Sequence, residues 1–303
     1  MKKVIILSGP TASGKTETAI NLSKKINTEI ISADSRQIYR YMDIGTAKPT
    51  KEQQNLVKHH LIDIKNPDER FSVYEFYKLA LDVVEDIIKR AKVPLIVGGT
   101  GLYIKILQEG IFEERGEIDN GYRKRLNSMT IDELKKLLKE KDPLTFKRID
   151  TNNQRRIIRA IEIKEKTGFS IVELWDKRQK PSYDFVHLYL NPDPQTLDKR
   201  IKQRTENIYK LGLIDETKRL LDIGYNKNLE SMSGIGYKET ISYLEGEIGL
   251  DEAMHRTYIR TRQYARRQKI WFKKEKKIVI SNEEEIWGII EDRRQGLRRK
   301  DEI

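Results

Sequence analysis

The chain has 303 residues, a net charge of +12, and 35% of its residues are charged. A chain this basic attracts a polyanion, with nucleic acid the first candidate. It has no cysteine, which excludes disulfides, thiolate zinc sites and cysteine nucleophiles and fits a reducing cytoplasm; no apolar run approaches membrane-spanning length.

Two lysines precede the apolar run "VIIL" at residues 4–7. Four apolar residues are too few for a signal peptide and read as a first strand. The strand leads into Gly9-Pro10-Thr11-Ala12-Ser13-Gly14-Lys15-Thr16, a full match to the P-loop pattern. Backbone N–H groups and a helix N-terminus in such a loop cradle anionic oxygens. Lys15 adds a point charge, and the Thr16 hydroxyl can ligate Mg²⁺. The motif says that phosphate is held, not what happens to it.

"TEIISADS" (28–35) and "VPLIVGGTG" (93–101) repeat the same grammar of a β-branched run followed by small or polar residues. Such runs between helical segments predict an α/β fold, a P-loop NTPase-like core with a parallel sheet flanked by helices. Ligands bind where the carboxyl ends of such strands meet. Residues 9–16, 34–37 and 98–101 are therefore expected in one crevice. A P-loop NTPase also places an Asp at a strand end to hold its metal, yet the third run ends in Gly98-Gly99-Thr100. The acid is instead Asp34, followed by Ser35-Arg36-Gln37. It suits metal binding, proton acceptance or a helix N-cap. Thr100 by itself reads as a capping hydroxyl. His59 and His60 point to opposite faces of an extended segment with no companion ligands, and read as structural.

From 113 to 185 the chain is densely charged, with apolar residues at helical spacing in "IDELKKLLKEKDP" and "NNQRRIIRAIEIKEKTGFSIVELW". This predicts an all-helical insertion (113–185) between two parts of the core (1–112 and 186–303), with Gly168 as a helix stop. "DFVHLYLNPD" returns the chain to the sheet, helices follow from about 194 to 274, "KKIVISN" is a last strand and "EEEIWGIIEDRR" a last helix. The tail "RRQGLRRK" reads as disordered. The stretch 255–274 holds eight Lys/Arg, no acid, and the aromatics Tyr258, Tyr264, Trp271 and Phe272. That mixture suits phosphate pairing and base stacking, or a solvated helix with an aromatic core stripe. Arg155, Arg156 and Arg159 form a second basic patch. Arg200 and Arg204 lie four apart, so both can face one anion.

Taken together, "GPTASGKT", "ISADSRQIYRYMDIGTAKPT", "HHLIDI", "FSVYEF", "PLIVGGTGLY", "RRIIRAIEI", "GIGYKE" and "RRQKIWF" resemble the bacterial tRNA dimethylallyltransferases (tRNA isopentenyltransferases), in the family's order. Eukaryotic relatives carry a zinc finger for which this sequence offers no cysteine. The resemblance implies transfer of a dimethylallyl group from dimethylallyl diphosphate to the exocyclic amine of the adenosine just 3′ of the anticodon. The tRNAs are those reading codons that begin with U. It makes the P-loop, residues Gly9 to Thr16, and Arg204 (Arg200 second) the diphosphate site, with Mg²⁺ on Thr16. It makes Asp34 the base and sets Thr100 beside the reacting groups. It implies tRNA contacts at Asp34, Ser35, Arg36, Gln37, Thr100, Arg123, Arg155, Arg156, Arg159, Gly236, Tyr237, Lys238, Arg267 and Gln268. The partner is the tRNA anticodon stem-loop, and the expected form is a cytoplasmic monomer without membrane contact. The rival readings are a prenyltransferase acting on free adenine nucleotides, a P-loop small-molecule kinase, and a nucleic-acid binding module that uses NTP as a switch.

Overall fold

The computed structural model describes residues 2–112, 120–286 and 288–289. Six strands form one sheet: β1 (Lys2–Ser8), β2 (Thr28–Ser32), β3 (His59–His60), β4 (Val93–Gly98), β5 (Tyr183–Leu190) and β6 (Ile278–Ile280). Their order is β3-β2-β4-β1-β5-β6, and every pairing is parallel. The P-loop α/β core expected from the strand runs is thus present. β1 is central because helices cover both faces of a parallel sheet and its residues 4–8 can be buried throughout. Ile6, Leu7, Ile31, Leu95 and Ile96 are fully buried, each side chain contributing about 1.5–3 kcal/mol on leaving water. The two-residue strand β3 has no strand signature of its own. It is held by pairing with Ile30 and Ile31 and by polar bonds beneath it. His60 Nε2 lies 2.7 Å from Glu29 Oε2, and the buried Glu29 also bonds Arg90 and Lys92. His59 and His60 are structural here, as expected.

The chain divides into two compact units, 1–107 with 182–303, and Gln108–Pro181. The second unit is helical, with helices Asn120–Ser128, Ile131–Lys141, Pro143–Arg148, Gln154–Thr167 and Ile171–Asp176. Its core gathers Leu126, Leu134, Leu138, Ile157, Ile158, Ile161 and Val172. Thr130 and Glu133 form a capping box, and Gly168 ends the fourth helix with φ of 72°, a left-handed turn that suits glycine. The span 113–185 read from charge pattern begins inside this unit and runs into β5, whose Tyr183 pairs with Lys2. In the larger unit a second apolar cluster joins Ile38, Tyr39 and Met42 to Ile208, Leu213, Leu220, Met232, Tyr237 and Ile241. The basic stretch lies on the long helix Leu250–Lys273. The tail "RRQGLRRK" lies outside the described residues, as do residues 113–119, and the last helix is described only at 284–286 and 288–289.

One close approach fixes how the strand ends meet. A Cβ on Gly98 would lie 2.1 Å from the Ala33 carbonyl oxygen and 2.4 Å from its carbon. Ala33 N donates to the Val97 carbonyl at 2.8 Å, and Thr100 N donates to the Ala33 carbonyl at 3.2 Å. The new methyl has only backbone to displace. Gly98→Ala is expected to lower the unfolding free energy by about 1–3 kcal/mol or more, read as a lowered midpoint in urea; an unchanged midpoint rejects the tight crossing.

Candidate active site

The P-loop follows β1 and opens the helix Lys15–Ser23, whose N-cap Gly14 has φ of 99°. That left-handed turn is open to glycine at little cost and swings the chain into the helix. Ala12 is also left-handed, at 62°. Ser13 N donates to the Pro10 carbonyl at 3.3 Å, closing the loop. Lys15 Nζ donates to the carbonyls of Gly9 (3.0 Å) and Pro10 (2.7 Å). Arg200 Nη1 donates to the Ser13 carbonyl at 2.9 Å, and the Ser13 hydroxyl is buried with no partner among the described residues. Thr16 lines a small cavity with Ser32, Gln37 and His59.

The three loops expected to converge do so. Ser35 N donates to Thr100 Oγ1 at 3.1 Å. Asp34 Oδ1 accepts from Arg36 N at 2.8 Å, an Asx turn rather than a helix cap, since residues 35–38 form a turn with no α-helix. Thr100 caps the helix Gly101–Glu109 through its carbonyl, which accepts from Tyr103 N and Ile104 N, leaving its hydroxyl to the Asp34 turn. Gln268 braces the crevice from the long helix: its Oε1 accepts from Thr11 N and its Nε2 donates to the Gly99 carbonyl, both at 2.8 Å.

The site is electrostatically tense. Burial lowers the Lys15 ammonium to about 7, with the Asp34 charge pulling it up and the Arg204 charge pushing it further down. Burial likewise lowers Arg204, against the attraction of Asp34. Two cations and one carboxylate thus share a crevice short of water, an arrangement that favours a further anion. Tyr264 bonds Thr100, and burial, then the Asp34 charge, push its phenol up to about 12. Arg267 sits 5.8 Å over its ring.

The remaining candidates divide. Arg36 Nη1 donates to the Glu230 carbonyl at 2.7 Å, and Gln37 Oε1 accepts from Ser32 Oγ at 2.9 Å. In the helical unit Arg155 and Arg156 are exposed. Arg123 lies 3.4 Å and Arg159 3.8 Å from the buried Glu162. Lys238 is exposed, whereas Gly236 N donates to Glu239 Oε2 at 2.8 Å within the core. Two side chains need correction. Tyr237 is 1% exposed and its hydroxyl donates to Glu216, so it is a core residue and cannot touch RNA. Gln268 is 6% exposed with both amide ends committed to backbone, so it holds the site together instead. Motif reading missed the Tyr264 partnership with Thr100 and the Gln268 brace, although the spacing of four between Tyr264 and Gln268 puts both on one helix face.

A P-loop pattern and a nearby carboxylate on the ends of a parallel sheet define a protein of the P-loop-like α/β class. The model of a family described as IPP transferase matches residues 37–275. A tRNA dimethylallyltransferase of Thermotoga maritima is 47% identical over 283 residues, 92% of each chain, and one of Alkaliphilus oremlandii is 45% identical over 282 residues, covering 90% of this chain and 89% of that one. Among solved structures, the full-length tRNA isopentenylpyrophosphate transferase of Bacillus halodurans is 38% identical with a TM-score of 0.73, covering 100% of this chain and 99% of that one. A eukaryotic dimethylallyltransferase acting on tRNA is 28% identical with a TM-score of 0.78, covering 90% and 70%. The chain belongs to the IPP transferase family.

The depressed Lys15 ammonium has a consequence for anion binding. Below pH 7 it is already charged; above, the site must take up a proton to hold an anion, costing up to about tenfold in affinity per pH unit. Inorganic diphosphate gains charge over the same range, which works the other way. The parent therefore loses affinity between pH 7 and 9 relative to Lys15→Ala, measured by calorimetry. A constant ratio of the two affinities rejects Lys15 as the titrating group.

Proposed function

We propose that this chain transfers a dimethylallyl group from dimethylallyl diphosphate to the N6 amine of the adenosine 3′ of the anticodon, in tRNAs reading codons that begin with U, acting as a cytoplasmic monomer. The observation that carries this is the closeness of the Asp34 charge to Lys15 of the P-loop and to Arg204. The Asx turn fixes one carboxylate oxygen, and Lys15 and Arg204 lie within electrostatic reach.

In the reaction the allylic C–O bond breaks and its electron pair goes to the diphosphate. The adenine nitrogen bonds the allylic carbon and its proton passes to Asp34. The loop N–H groups, Lys15 and Arg204 would meet the charge where it develops. Adenine N6 is a weak nucleophile because its lone pair is delocalised into the ring, so a proton acceptor matters in the transition state. The base must leave its stack to reach the crevice. Thr16 follows the P-loop lysine, and its hydroxyl is of the oxygen type a hard cation takes, so Mg²⁺ would be held by Thr16 together with the diphosphate and would supply charge neutralisation of the leaving group. The basic face of the helix Leu250–Lys273 and the exposed arginines of the helical unit suit the stem-loop backbone.

The proposal is tested with labelled dimethylallyl diphosphate and unmodified tRNA, AMP or ATP. Label is expected in tRNA alone. Label in AMP or ATP supports the free-nucleotide prenyltransferase, and loss of the ATP γ-phosphate to a small molecule supports a kinase. Asp34→Asn is expected to reduce turnover about 10²–10⁴-fold with little change in affinity for either substrate; a folded, fully active variant removes Asp34 from the chemistry.

tRNA affinity is expected to fall with salt through counterion release. Neutralising the exposed Arg155 and Arg156 together should flatten the plot of log affinity against log salt by roughly 1.4–1.8. An identical slope in filter binding places the contact elsewhere.

A further inference from the structure

Glu216 lies on the helix Leu213–Asp222 and is 2% exposed. Its two carboxylate oxygens accept four donors. Asp43 N donates to Oε2 at 2.9 Å, Ile44 N to Oε2 at 2.9 Å, Gly45 N to Oε1 at 3.1 Å, and the Tyr237 hydroxyl to Oε1 at 2.6 Å. Three successive backbone N–H groups turned to one anion form a nest, closed here by a phenol. Burial first, and the Glu216 charge next, raise the pKa of that phenol and keep it a donor. A Cβ on Gly45 would lie 2.4 Å from the Tyr237 ring, so the nest is also packed shut.

The nest is wired to the Asp34 turn. Ala47 N donates to the Ile44 carbonyl at 3.0 Å, and Lys48 N donates to the Asp43 carbonyl at 2.9 Å. The Ala47 carbonyl accepts from Gln37 Nε2 at 3.3 Å, and Gln37 Oε1 accepts from Ser32 Oγ at the end of β2. Asp34 sits between Ser32 and Gln37. The buried Lys48 ammonium adds a second tie, to the Tyr39 carbonyl and to Asp43 and Asp63. Tyr41 and Ala47 are held at φ of 66° and 47°, a conformation non-glycine residues keep only when their surroundings impose it. The P-loop takes no part in this chain of bonds.

We infer that Glu216 is a positioning residue for the reaction: the anion gathers the 43–45 backbone and, through Ala47 and Gln37, sets the Asp34 carboxylate in the crevice. The inference rests on the proposed prenyl transfer. It separates Glu216 from a residue that only stabilises the fold, because misplacing a reacting group by about 1 Å costs about 10²-fold in rate while binding persists at a phosphate loop that shares none of these hydrogen bonds.

The test is a double-mutant cycle on the full chain: parent, Glu216→Gln, Asp34→Asn and both together, each with kcat and the KM for dimethylallyl diphosphate, using labelled substrate and unmodified tRNA. Glu216→Gln keeps the shape but turns an amide N–H toward a backbone donor. Its kcat is expected to fall about 10–100-fold with KM for the diphosphate within about twofold. In the Asp34→Asn background the same change should cost less than about threefold, since coupled residues are not additive. Should Glu216→Gln fail to fold, Tyr237→Phe, which removes one donor, is expected to lower kcat by a smaller factor with the same unchanged KM. A folded Glu216→Gln with kcat within twofold of the parent overturns the inference, as does an equal fall in the Asp34→Asn background. With Glu216→Gln unfolded, an unchanged kcat in Tyr237→Phe overturns it as well. In each of these cases an active parent leaves prenyl transfer standing. A parent that labels no tRNA overturns both.

Discussion

The Ala33 backbone crosses the end of β4 with no room for a side chain beneath it. A Cβ at Gly98 would lie only 2.1 Å from the Ala33 oxygen, so this crossing of β2 and β4 requires glycine there. That crossing delivers Asp34 to Thr100 and holds both above the phosphate loop. Each later bond, from Ser35 to Thr100 and from Gln268 to Gly99, presumes it. The placing of Asp34 beside Thr100 therefore depends on a glycine.

Around that crossing the charges are arranged against their own comfort. Burial lowers both Lys15 and Arg204, the Arg204 charge lowers Lys15 further, and the Asp34 charge offsets part of each shift. Buried like charges are expensive unless a counter-charge joins them, and in the proposed reaction a diphosphate would supply it. The attraction to the leaving group would grow as charge moves onto it, so it would be stronger in the transition state than with bound substrate, the condition for speeding the reaction. The tension is carried by a framework of backbone bonds and by the links of the buried Glu216 carboxylate and Gln268 amide.

Much of this was legible from residue order. The P-loop is local, so eight consecutive residues define it, and the β-branched runs of β1, β2 and β4 announce buried parallel strands. The convergence of three loops followed from the rule for strand ends. Gln268 and Glu216 were not legible in the same way. Gln268 meets Thr11 and Gly99, and Glu216 meets Asp43 to Gly45, across long stretches of chain, and neither residue type signals such a partner. Tyr237 misled for a related reason. The resemblance carried by "GIGYKE" implies an RNA contact there, yet the Tyr237 side chain turns inward to Glu216 and Gly45. β3 is too short to carry a pattern and exists only because Ile30 and Ile31 pair with it.

The order of the strands also bears on how the chain acquires its shape. The central strand β1 is synthesised before its partners, Leu95 to Gly98 and Tyr183 to Tyr189. One flank of β1 stays unpaired until the whole helical unit Gln108–Pro181 has been synthesised. That unit is built from neighbouring helices, and local contacts form fastest. It can collapse while the apolar "VIIL" segment still lacks its second partner, leaving an open strand edge of the kind that invites aggregation. Nascent chains halted before Tyr183 would carry that exposed edge, and those halted after Leu190 would have closed it.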